Sequence, residues 1–77
     1  MASVIHVIQV EDTQVTRIQL SYAEIAHSLG FWCRSQGYRV RYYRATEPAR
    51  LDAAEISRCV NLLRDYGSWR RFLRHTA

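Results

Sequence analysis

Residues 38 to 44 read Tyr38-Arg39-Val40-Arg41-Tyr42-Tyr43-Arg44, and the fold depends on whether they are extended or helical. Tyr38, Val40 and Tyr42 alternate with Arg39, Arg41 and Tyr43, a period of two that sends one set toward a core and the other toward solvent. β-branched and aromatic side chains suit a pleated strand. The stretch is therefore read as a strand, followed by a loop from Ala45 to Arg50 that holds the only proline, Pro48.

Upstream, Ser21-Tyr22-Ala23-Glu24 has the S-x-x-E spacing of a capping box, in which hydroxyl and carboxylate each satisfy a backbone donor at a helix start. Tyr22, Ile25, Ala26, Leu29, Trp32 and Cys33 recur at helical spacing, and Gly37 is placed as the stop. Gly30, inside the helix, implies a kink or a close contact, because glycine costs about 1 kcal/mol there relative to alanine. Farther upstream, Ser3 to Val10 is apolar on both alternating sets, the pattern of a strand covered on both faces. Glu11 to Gln14 form a polar break of hairpin length, and in Val15 to Leu20 the residues Thr16, Ile18 and Leu20 alternate with Arg17 and Gln19.

Downstream, Asp52-Ala53-Ala54-Glu55 repeats the capping spacing, and Ile56, Cys59, Val60 and Leu63 form the buried stripe expected of a second helix ending near Gly67. Ser68 is placed to cap a last short helix with Trp69, Phe72 and Leu73 apolar and Arg70, Arg71 and Arg74 basic. The expected architecture is one α+β domain over residues 1–77, β-β-α-β-α with a short C-terminal helix. Its three-stranded sheet takes the order 2-1-3, because the doubly apolar first strand belongs in the middle; the third strand runs antiparallel to the first. One face of that first strand, either Ile5 and Val7 or Val4, Ile8 and Val10, then needs cover from the C-terminal aromatic residues, a second copy of the chain or a partner protein.

Seventy-seven residues allow one domain and a small core, so a homodimer or an obligate complex is in keeping with the size. The formal charge is +4, and all eleven basic residues are Arg. Arginine's planar fork suits phosphate and carboxylate; GC-rich codon usage is the better explanation for the absence of Lys. The positive charge lies in the second half, where nine Arg face Glu47, Asp52, Glu55 and Asp65. Cys33 and Cys59 form no CxxC pair, and His6, His27 and His75 are scattered, which argues against a metal site. No residues call for a cofactor. No signal-peptide pattern or apolar stretch of membrane length appears, so a cytoplasmic, reducing setting and no membrane partner are expected.

Catalysis is not expected. His27 and Ser28 are helical neighbours that point to different sides, and no carboxylate is spaced to orient the imidazole. The expected activity is binding. Arg39, Arg41, Tyr43 and Arg44, with Arg17 from the hairpin, combine cations for phosphate with an aromatic ring for base stacking, which points to nucleic acid or a complex that handles it. An ordinary charged edge strand that resists aggregation would carry the same residues.

Two resemblances widen the field. Leu20 to Phe31, L-S-Y-A-E-I-A-H-S-L-G-F, resembles the opening helix and turn of helix-turn-helix regulators, and Arg41-Tyr42-Tyr43 with the run from Asp52 to Leu73 is similar to the MerR-type winged-helix family. That family implies a transcriptional regulator, but it carries its R-Y-Y on a recognition helix nearer the first turn and has no N-terminal hairpin. In size and lack of motifs the chain also resembles the short proteins of phages and mobile elements, anti-CRISPR proteins among them. This implies an inhibitor of a host protein complex. Being basic, such an inhibitor would seek an acidic protein surface rather than imitate nucleic acid. Trp69, Arg70, Arg71 and Arg74 would be its anchors, since Trp and Arg dominate interface hot spots.

Overall fold

In the computed structural model, residues 4–76 are described, with side chains through residue 74. The elements are β1 (Ile5–Glu11), β2 (Val15–Leu20), α1 (Ala23–Ser35), β3 (Arg39–Ala45) and α2 (Ala53–Thr76). Residues 38 to 44 are extended, as the alternation predicts, with β3 beginning at Arg39. The sheet order is β2-β1-β3 with both pairings antiparallel. Ser3, included in the first strand on sequence grounds, lies outside the described residues.

Register fixes which residues share a face. Ile8 stands between Ile18 and Tyr42, and Val10 between Thr16 and Val40. These residues face the helices and join Ala26, Leu29, Trp32, Cys33, Cys59 and Tyr66 in the core. The opposite face carries Ile5, Val7, Gln9 and Glu11 of β1 between Arg17 and Gln19 of β2 and Arg39, Arg41 and Tyr43 of β3. The shortest dimension of the molecule is 19 Å, enough for one sheet and one helical layer but no third layer.

The chain's own segments resolve the double apolarity of β1. Gln19 donates to Ala49 O at 3.2 Å and accepts from Ala49 N at 2.8 Å, holding the loop after β3 against one end of the open face. Val7, between Gln19 and Tyr43 in register, is only 3% exposed. The C-terminal aromatic residues do not fold over this face; Trp69 packs beside Tyr66 on the helical side.

The ends of α1 differ from each other in how closely they follow expectation. At the C-terminus Gly37 takes φ +93, Gly37 N–H bonds Arg34 O, and Tyr38 N–H bonds Cys33 O, a full Schellman turn. At the N-terminus the expected Ser21–Glu24 capping box is absent. Tyr22 is the cap residue and makes no side-chain cap bond, so Ser21 falls one position too early for the box. Gly30 is buried against the sheet, where a Cβ would meet Ile8 Cδ1 at 3.4 Å and Val40 Cγ1 at 3.6 Å, ordinary packing distances.

The second helix corrects another expectation. Asp52 caps it through Oδ1 to Glu55 N–H at 2.8 Å, but α2 then runs unbroken through Gly67 and Ser68 to Thr76, with no separate C-terminal helix. Gly67 does not adopt positive φ, and Cys59, Leu62, Tyr66 and Trp69 continue one core-facing stripe across it. That packing outweighs the roughly 1 kcal/mol cost of a helical glycine. Of the four residues expected in the buried stripe, only Cys59 is buried; Ile56, Val60 and Leu63 are 50%, 49% and 37% exposed.

Candidate functional site

The open half of the sheet is the largest arrangement of the expected binding residues. Gln9 sits between Arg17 and Arg41 in register, and Glu11 between Val15 and Arg39. The Arg41 guanidinium carbon lies 5.7 Å from the centroid of the Tyr43 ring, within cation–π range. A shallow recess of about 200 Å³ is lined by Gln9, Glu11, Arg39, Val40 and Arg41. Arg39 and Arg41 are exposed, and neither forms an ion pair among the described residues. Gln9, not foreseen as part of this surface, interrupts the apolar residues Ile5 and Val7 on the open face of the central strand, and that interruption was its signal.

Arg17 has a different role. Its Nη2 meets Glu55 Oε1 at 2.8 Å, while its Nε and backbone N–H both donate to Glu55 Oε2 at 2.9 Å. Arg58 adds bonds to Thr16 Oγ1 and Val15 O, each at 3.0 Å, and the Cys59 thiol donates to Arg17 O at 3.3 Å. The first turns of α2, from Glu55 to Cys59, thus satisfy the outer edge of β2 at Val15 and Arg17. The hydrogen bonds from Arg17 hold the Glu55 carboxyl below its ordinary value despite its burial, and Glu55 in turn raises Arg17. Glu55 was expected to complete a capping box; its carboxylate serves this edge instead.

The remaining predicted residues scatter. Arg44 is exposed but lies in register with His6, on the helical face rather than beside Arg41. Trp69 is half-buried, with its ring 5.9 Å from that of Tyr66. Arg70 donates to the Tyr66 hydroxyl at 3.2 Å and sits over its ring, and that hydroxyl donates to Ser28 at 2.6 Å. Arg71 and Arg74 are exposed on the last turns of α2. The structure thus brings Arg39, Arg41 and Tyr43 together, commits Arg17 and Arg70 to internal contacts, and separates Arg44, Trp69, Arg71 and Arg74 from the open face.

The side chains of Cys33, Cys59, His6 and His27 lie on the helical side of the sheet, away from the open face. Burial pushes the Cys33 thiol up to about 11, and burial likewise raises Cys59. His6 Nδ1 lies 2.6 Å from the Tyr42 hydroxyl, and the His27 ring packs 4.7 Å from the Tyr42 ring. Ser28, adjacent to His27, accepts from Tyr66 on another side of α1.

No family model, curated protein or solved structure matches this chain. The surface itself must then carry the functional reading. Arg41-Tyr42-Tyr43 is a strand and offers no recognition helix. Among the described residues, no helix is long and apolar enough to cross a membrane.

Proposed function

We propose that this chain is a non-enzymatic binding protein whose open sheet face engages single-stranded nucleic acid. The observation that carries the reading is the grouping of Arg39, Arg41 and Tyr43 on one exposed strand face beside Gln9, with neither guanidinium group in an ion pair among the described residues. Guanidinium groups neutralise phosphates, and an aromatic ring on a sheet gives a base a stacking surface worth about 1–3 kcal/mol. The Gln9 amide can donate to and accept from a base edge, giving orientation as well as attraction. A flat sheet suits splayed bases rather than a duplex groove.

The test is fluorescence anisotropy with labelled single strands and duplexes of DNA and RNA over a series of salt concentrations. Two phosphate contacts predict a log–log salt slope of about −1.4 for single strands. Arg39→Ala with Arg41→Ala should flatten that slope, and Tyr43→Leu should weaken binding without changing it. No salt-sensitive binding at low ionic strength, or a double variant that binds as the parent does, would overturn the reading.

A second reading draws support from α2, where Ile56, Val60 and Leu63 stand exposed on neighbouring turns. Such a ridge fits an apolar groove on another protein, the mode expected of an inhibitor that blocks a host complex. A protein captured from a bacterial lysate that survives nuclease treatment but is lost with Val60→Arg would favour this alternative.

A further inference from the structure

The two edges of the sheet are treated differently. Glu55, Arg58 and Cys59 of α2 bond the outer edge of β2 at Val15 and Arg17, whereas no described residue hydrogen-bonds the outer edge of β3. The groups exposed there follow from the antiparallel pattern. Arg17 points its N–H and C=O away from β1, so Gln9↔Arg17 is a non-hydrogen-bonded pair. Gln9 then directs its own N–H and C=O to Arg41 on the other side. By alternation, Val40, Tyr42 and Arg44 point their backbone groups outward.

We infer that two copies of this chain join β3 to β3 antiparallel across a two-fold axis at Tyr42, making one continuous six-stranded sheet. Tyr42 is the midpoint of Arg39–Ala45, so this register uses the whole strand. It pairs Tyr42 with Tyr42 and Val40 with Arg44, matching all three outward residues in hydrogen-bonded positions. It places Arg41 opposite Tyr43 and Arg39 opposite Ala45, so no arginine faces another directly. Moving the axis to Arg41 sets two guanidinium groups opposite each other, which is destabilising. Moving it to Tyr43 runs Arg39 and Val40 past the end of the facing strand. The arginines that protect the edge from indiscriminate pairing therefore permit this one self-pairing.

The border beside the edge is suited to the same occupant. His27, Phe31 and Arg34 of α1 line a small recess with Val40 and Tyr42, and Phe31 is 67% exposed. A second copy brings its own α1 toward this border and gives Phe31 an aromatic and aliphatic neighbourhood. The inference does not depend on nucleic acid, although pairing would join the two open faces.

Sedimentation equilibrium of the full chain, without nucleic acid and across a wide concentration range, should give a monomer–dimer equilibrium. Arg44→Pro removes one outward N–H from each copy and no bond to β1, and should weaken the dimer about tenfold or more with unchanged circular dichroism. Arg44→Ala, which keeps the N–H, should dimerise at least as well as the parent. In a variant carrying Arg41→Cys and Tyr43→Cys, oxidation should give covalent dimers linked 41 to 43, because Cα atoms of a non-hydrogen-bonded pair lie about 4.5 Å apart. A folded monomer at every concentration, a dimer indifferent to Arg44→Pro, or linkage of 41 to 41 would each overturn the inference.

Discussion

The Glu55 carboxylate receives three donors from Arg17, two from the guanidinium and one from the backbone, and thereby fastens the start of α2 to the edge of β2. Removing it with Glu55→Ala leaves the Arg17 N–H unsatisfied at the helix–strand seam. The expected loss is about 2 kcal/mol, the scale for hydrogen bonds to a charged group. Urea unfolding followed by circular dichroism measures it.

The same carboxyl gives stability a pH dependence. Its folded value lies below the ordinary 4.5, so its contribution is present above that pH and is lost as the pH falls through the depressed folded value. The stability gap between the parent and Glu55→Gln should therefore be widest near neutrality and narrow on acidification. Melts at several pH values from neutral to acid report it; a gap that grows toward acid contradicts the assignment.

Two glycines should respond oppositely to alanine. Gly37 sits at φ +93, where a Cβ is strained, and Gly37→Ala should cost about 1–2 kcal/mol. Gly67 is helical with nothing within 4 Å of a built Cβ, and Gly67→Ala should stabilise by about 0.5–1 kcal/mol. Paired urea titrations test both signs together.

Cys33 is fully buried with its thiol pushed up to about 11, so it remains protonated and shielded at neutral pH. Iodoacetamide should modify it slowly in the native protein and rapidly in denaturant. Mass spectrometry of timed samples distinguishes the two rates.

Tyr66 joins the two helices by stacking edge-on to Trp32 and donating to Ser28. Tyr66→Phe should keep the ring contact and lose about 1 kcal/mol from the missing hydroxyl. A near-unchanged unfolding enthalpy with a lower melting temperature would match that reading.

Much of this architecture was legible because local pattern and tertiary demand agree. The alternation of residues 38 to 44, the doubly apolar β1 and the Gly37 stop each state their structure directly. The failures come where a side chain has two uses. Glu55 has the spacing for a capping box, but a strand edge distant in sequence takes its carboxylate. Gly67 has the look of a stop, but Tyr66 and Trp69 carry the buried stripe past it. At the candidate site, alternation placed Arg39, Arg41 and Tyr43 together correctly. It could not foretell that Arg17 was claimed by α2, because a hydrogen bond between residues 17 and 55 leaves no local trace in sequence.

The seam between α2 and β2 links the last element in the chain to the first hairpin. A chain cut back before Glu55 would lose more than a helix: Arg17 and Val15 would present bare amide and carbonyl groups, and both borders of the sheet would then be open to adhesion. Shortened forms should consequently precipitate through their strands rather than persist as small, tailless domains.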